Sequence, residues 1–276
     1  MLIDSYHDRW LDRLNSAVSG GTTYLLIDGV FVPGLYRLLN AALPSPQAAT
    51  LLFETLPSCT DKTRDVSPFI VRYDPANLRM QTLLQRCSGR PMISAIETAE
   101  SQNELTERLS AWCVVEAGDQ RFNFRFPDTR RLPSIFATLT AEQRIQLAGA
   151  ATRWSYVDRS GSWAELDVFG VPSAIADRPR LDDQQFSRLV DASEVDEVIA
   201  ILVDRGNGMS HKHSEIYSGL AIALQTATRR NLESESKIQW CESCWREGLP
   251  HDEFEATDRL TTWIDASKSL SVTKER

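Results

Sequence analysis

The stretch from Tyr24 to Phe31 constrains the possible folds more than any other part of the chain. Tyr24-Leu25-Leu26-Ile27 is an unbroken apolar run ending at Asp28-Gly29, with Pro33-Gly34 soon after, and it reads as a buried strand closed by a turn. Leu35, Leu38, Leu39 and Ala42 then recur at helical spacing until Pro44 and Pro46 stop the pattern, and Ala49 to Glu54 supplies a second apolar run. Strand, helix, strand is the order of a βαβ unit. Ligands of open α/β sheets bind beyond the carboxyl ends of strands, so Asp28 and Glu54 are candidate catalytic or metal-binding carboxylates. An aspartate before glycine is equally a turn former whose side chain bonds to nearby amides, and no phosphate loop or carboxylate cluster accompanies it.

The alternation continues. Ser58 to Ser67 is polar and reads as a solvated loop, Pro68 to Tyr73 as a third strand, and Asp74-Pro75 as the cap of a helix with Leu78, Leu83 and Leu84 inward and Gly89 at its end. Pro91 to Ile96 is the next strand, and Ser101 with Glu104 has capping-box spacing ahead of Leu105 and Leu109. Trp112 to Glu116 and Arg121 to Phe126 flank Ala117-Gly118-Asp119-Gln120 as a hairpin, with Phe122, Phe124 and Phe126 alternating against polar residues. Helical segments over Leu132–Leu139 and Thr140–Ala148, then strands over Arg153–Val157 and Ser162–Val168, complete this lobe.

Phe169 to Arg180, with Gly170, Pro172 and Pro179, reads as a linker. Beyond it the pattern is helical throughout: Phe186, Leu189 and Val190, then Val195, Val198, Ile199 and Leu202, then Ile216, Leu220, Ala223, Leu224 and Ala227, then Ile238, Cys241 and Trp245, then Leu260, Trp263 and Ile264. The expected fold is α/β: a lobe with a mixed β-sheet and flanking helices over residues 1–168, a linker over 169–180, and an all-α helical lobe over 181–276.

Composition narrows the function. Residues 180–276 hold 12 Lys and Arg against 18 Asp and Glu, most of the chain's formal charge of −8, which argues against a nucleic-acid partner. Tyr6, Trp10, Leu14 and Val18 recur every four residues among Asp4, Asp8, Arg9, Asp12 and Arg13, an amphipathic helix and not a signal peptide. No apolar run reaches membrane-spanning length, and the five cysteines are read as reduced thiols, so a cytoplasmic location is expected. Of the four histidines, His7, His211, His213 and His251, none lies in the α/β lobe after its first helix, so a Ser-His-Asp or Cys-His arrangement cannot be assembled there.

Two further groups invite a functional reading. Cys241 and Cys244 have CxxC spacing, and with His211, His213 and His251 they allow a zinc or redox site, but a second CxxC is missing and two core thiols explain the pattern. Arg121, Arg125, Arg130 and Arg131 form the one basic concentration, interleaved with phenylalanines. Such mixtures bind single strands of nucleic acid, yet strict alternation puts the rings in the core and Arg121 and Arg125 on the surface, with Asp128 near enough to neutralise one of them. Arg121, Arg125, Asp128 and Arg131 are therefore candidate partner-binding residues, suited to an acidic segment.

Several pieces of this chain, taken in order, resemble the effector-associated chaperone or adaptor proteins of bacterial type VI secretion. They are Tyr24 to Gly29, Leu51-Leu52-Phe53-Glu54, Ser67 to Arg72, Phe124-Arg125-Phe126 with Asp128, Thr140 to Arg144, and Trp154 before Tyr156. Where the family usually reads Arg-Phe-Tyr-Asp-Pro, this chain has Arg125-Phe126-Pro127-Asp128-Thr129. The resemblance implies a protein without catalysis or cofactor that binds a secreted effector in the cytosol and helps load it onto the spike protein VgrG. Nucleic acid and membrane are not expected as partners. The alternative from the residues alone is a metal- or nucleotide-dependent enzyme using Asp28 and Glu54.

Overall fold

The computed structural model describes residues 2–17, 22–43, 49–56, 59–175, 178–208 and 211–274. It separates into two compact units, residues 1–191 and 192–276. Among the described residues no helix is long and apolar enough to cross a membrane.

The first unit runs α1 (Trp10–Ala17), β1 (Thr22–Ile27), a 3-10 turn (Gly29–Phe31), α2 (Leu35–Ala42), β2 (Ala49–Leu51), α3 (Asp61–Asp65), β3 (Phe69–Arg72), α4 (Leu78–Gln85), β4 (Ile93–Thr98) and α5 (Gln102–Ala111). It continues with β5 (Val114–Ala117), β6 (Gln120–Asn123), α6 (Leu132–Thr138), α7 (Ala141–Ala148), β7 (Ala151–Val157), β8 (Trp163–Leu166), β9 (Arg180–Leu181) and α8 (Asp183–Asp191). Six strands form one sheet in the order β2-β3-β1-β4-β7-β8, and β6-β5-β9 form a smaller one.

Every pairing in the large sheet is antiparallel: Leu25 of β1 sits opposite Val71 of β3 on one side and Ala95 of β4 on the other. The βαβ reading of the sequence is corrected here. A strand buried on both faces has the same apolar run whichever way its neighbour points, so periodicity carries no information about direction. The parallel pair is β5 with β9 in the small sheet.

Alternation along β1 divides the core in two. Tyr24 and Leu26 pack with Ile70, Ile96 and Trp154 against Leu105 and Leu109 of α5, Ile135 and Phe136 of α6, and Leu147 of α7. Leu25 and Ile27 pack with Phe69, Val71, Ile93 and Ala95 against Trp10 and Leu14 of α1, Leu35 and Leu39 of α2, and Met80 and Leu84 of α4. Helices thus cover both faces of the sheet, which is why β1 lacks polar residues from Tyr24 onward.

Local chemistry fixes several boundaries. The capping box of Ser101 and Glu104 opens α5, and Thr140 with Gln143 does the same for α7. The polar stretch expected as a loop contains α3, opened by Thr60 and Thr63, whose side chains each accept from the other's amide. Asn77, not Asp74, caps α4, because its Oδ1 accepts from Met80 N at 3.0 Å while Asp74 closes a tighter turn onto Ala76 N. Tyr6 precedes α1 instead of belonging to it, and Val18 lies outside the described residues.

The expected linker over 169–180 does not separate the units. Its end forms β9, Phe186 of α8 lies 4.6 Å from Phe122 between ring centres, and the division falls after Asp191. Val190, expected to share the inward face of Phe186, is 51% exposed. The second unit is helical: α9 (Glu194–Asp204), α10 (His213–Arg229), α11 (Ser234–Glu247) and α12 (Glu253–Lys274) around Leu202, Leu220, Leu224, Trp240 and Leu260. Trp240 Nε1 donates to Ala223 O at 3.1 Å, joining α11 to α10.

Gly29 is where the end of β1 meets the neighbouring chain most closely: a Cβ there would stand 2.3 Å from Ser67 O, a backbone atom that cannot swing aside. Gly29→Ala is expected to cost about 1–3 kcal/mol as overpacking against backbone. Urea denaturation compared with the wild type measures it.

Candidate protein-interaction site

At the end of β1 the chain turns sharply, and Asp28 makes the turn. Its amide donates to Met92 O at 2.9 Å, and its Oδ1 accepts from Val30 N at 3.2 Å, capping the 3-10 turn that carries Phe31. The side chain is buried, with 2% of its surface exposed. A carboxylate so placed needs a cation as well as a cap.

The cation is Arg125, ninety-seven residues further along the chain. β6 stops at Asn123, Phe124 N bonds to Cys113 O, and the rings of Phe124 and Phe126 go into the core. Arg125, between them, is turned the other way and reaches Asp28 Oδ2 with Nη2 at 2.9 Å. The same nitrogen is 3.8 Å from Asp128 Oδ2.

Asp128 holds a second arginine. Arg130 approaches it side-on, Nε to Oδ1 at 3.1 Å and Nη2 to Oδ2 at 2.8 Å, while Arg130 N also donates to Oδ1 at 3.1 Å. The Asp128 carbonyl accepts from the amides of Arg131 and Leu132 and so starts α6. The two guanidinium carbons lie 5.7 and 5.8 Å from the centre of the Phe31 ring, Arg125 and Arg130 respectively, within cation–π range. Asp28, Arg125, Asp128, Arg130 and Phe31 therefore form one cluster, with the acids beneath and Arg125 at the surface, 48% exposed. Burial raises the Asp28 carboxyl above its ordinary pKa, and the Arg125 charge and hydrogen bond oppose that rise without cancelling it.

The sequence-derived candidates are thereby separated. Asp28, Arg125 and Asp128 come together. Arg121 is elsewhere: it is exposed, pairs with Glu116 across the β5–β6 hairpin at 3.4 Å, and lines a groove of about 760 Å³ beside α5. Arg131 stands at the start of α6, where its carbonyl accepts from Ser134 Oγ. Arg121 and Arg125 do not share a strand face, because the strand ends between them. Glu54 is ion-paired with Arg64 at the surface. Phe31 was not singled out from the sequence, where it lies in the turn that follows the strand ending at Asp28-Gly29. The signal for Arg130 was its i+2 spacing from Asp128, which suits a side chain folding back on an Asx turn.

Cys241 and Cys244 are buried in the core of the helical unit, and burial pushes each thiol up to about 12. His211 and His251 line a shallow pocket with Glu215 and Leu249, while the two thiols are packed with Trp240 and Trp245. Among the described residues no group of three or more His, Cys, Asp and Glu is placed to hold a metal ion.

Residues 23–146 match the family model described as a domain of unknown function, DUF4123. The span begins within β1 and ends within α7, so it contains all five members of the cluster and stops short of β7 and the helical unit. No curated protein and no solved structure matches the chain.

Asp28→Ala removes both the cap and the ion pair and is expected to cost about 1–3 kcal/mol, whereas Asp28→Asn keeps an acceptor for Val30 N and costs less. Because its pKa is raised in the folded state, the fold binds this proton more readily than the unfolded chain. The Asp28 contribution to stability therefore grows as pH falls from the raised value to the ordinary one, and it is flat well above that window. Chemical denaturation of wild type and Asp28→Asn across acidic pH tests this, the difference between them moving in favour of the wild type on acidification. With a thiol reagent in the native state, Cys59 is expected to react promptly, while Cys87, Cys113, Cys241 and Cys244 wait for unfolding.

Proposed function

We propose that this protein is an effector chaperone or adaptor of type VI secretion, which binds a toxic effector in the cytoplasm and helps load it onto the VgrG spike without catalysing a reaction. The observation that carries this reading is the coincidence of the cluster with the matched span: the family-like segment ends its central strand in a fixed, surface-facing arginine and aromatic group. Aromatic and arginine side chains dominate the binding energy of protein interfaces, and an arginine already held in place loses little entropy on contact.

Binding free energy is all such a protein needs. An interface of ordinary size buries about 1,200 to 2,000 Å², and a ligand that binds only the folded client stabilises it by mass action. Two contacts, one to client and one to spike, gain further from effective concentration. A strand-end enzyme would need Asp28 and Glu54 free to share an ion or activate water. β3 lies between the strands that precede them, and each is spent on its own arginine, which is why binding is preferred.

The test is co-expression with the toxin encoded beside a spike gene in the same genome. A soluble one-to-one complex, and loss of effector delivery when this protein is deleted, is the expected result. Equal effector solubility and delivery in its absence would end the adaptor reading.

A further inference from the structure

We propose that Arg125 is the receptor for an acidic side chain, Asp or Glu, of the partner polypeptide; this rests on the binding role given above and names its chemistry. The cluster is neutral when its two acids and two arginines are counted together, but the charges are not equally accessible. Asp28 and Asp128 show 2% and 3% of their side chains to solvent, against 48% for Arg125. A partner approaching this surface meets a cation whose counter-ions are behind it.

Arg125 also has donors to spare. Its Nη2 is committed to Asp28, while among the described residues Nε and Nη1 have no hydrogen-bond partner. A guanidinium offers five N–H groups in a planar fork, so one carboxylate beneath it leaves room for another outside. The Phe31 ring and the buried carboxylates fix the guanidinium before any partner arrives, which lowers the entropy lost on contact.

The neighbouring arginines are less suited. Arg130 is 16% exposed and gives Asp128 both Nε and Nη2. Arg121 is 64% exposed and held at 3.4 Å by a carboxylate, with no ring beside it among the described contacts. Nucleic acid is held by several cations facing a run of phosphates, whereas Arg125 is the largely exposed cation of this cluster and Arg130 is turned onto Asp128, so a single carboxylate in a polypeptide fits better.

The Nε–Hε resonance of Arg125, identified by through-bond correlation to its own backbone and by its loss in Arg125→Lys, reports binding directly. The full chain is titrated at constant ionic strength with N-acetyl-glutamate N-methylamide and, separately, with the glutamine analogue. The expected result is a saturable shift at Arg125 with the glutamate compound, about tenfold weaker or absent with glutamine, and smaller at Arg121. No saturable shift, an equal response to glutamine, an equal shift at Arg121, or a response to an oligothymidine in place of glutamate would each overturn the proposal. The probe needs no effector, so these failures leave the co-expression result standing, and a failed co-expression leaves the carboxylate result standing.

Discussion

Burial of β1 on both faces is the constraint from which the first unit follows. A strand with Leu25 and Ile27 at one layer and Tyr24 and Leu26 at the other must be covered twice, so α1, α2 and α4 lie against one side of the sheet and α5, α6 and α7 against the other. The chain leaves such a strand with its backbone still in a dry setting. Asp28 supplies the exit by capping the turn with one oxygen, and its other oxygen then requires a cation. A turn residue chosen for backbone reasons becomes the anchor of a charged cluster.

That sequence of requirements explains why Arg125 is fixed although half of it is in water. Exposed ion pairs contribute little to stability because both partners are solvated and mobile. Here one partner is buried and capped, the guanidinium lies over Phe31, and the backbone on either side is pinned by Phe124 and Phe126 in the core. In a second ion pair, with Glu100, the buried Arg108 ties α5 to the end of α7 through Leu147 O. Gly149 has φ of +56°, and a Cβ there would stand 2.4 Å from Arg108 Nε, so the glycine leaves room for that guanidinium. Both arginines serve the fold, but Arg108 is 1% exposed and Arg125 alone of the two can also serve a partner.

Much of the layout was legible locally. The strands around Leu25, Ile70 and Ile96, the hairpin at Gly118, the capping box at Ser101, and the helices after Asp191 follow from periodicity and caps that act over a few residues. The boundary near residue 180 was not, because Phe169 to Pro179 has the composition of a linker while Leu181 and Phe186 pack back on β5 and β6, a fact about distant partners. Within the cluster, Asp28, Arg125 and Asp128 carried a local signal of type and spacing. Phe31 carried none, since its value comes from two guanidiniums placed over it by other segments.

The sequence by itself determined the buried strands around Leu25, Ile70 and Ile96, the start of α5 at Ser101, and that Cys241 and Cys244 face a core, because each depends on the side chain and its near neighbours. Tertiary structure decided the direction in which strands pair, the point at which the units part, and the meeting of Asp28 with Arg125. Strand direction depends on how connections return, and an ion pair between residues ninety-seven apart depends on the whole sheet between them. Neither quantity is written in a period of two or of three and a half, so only the folded chain could set it.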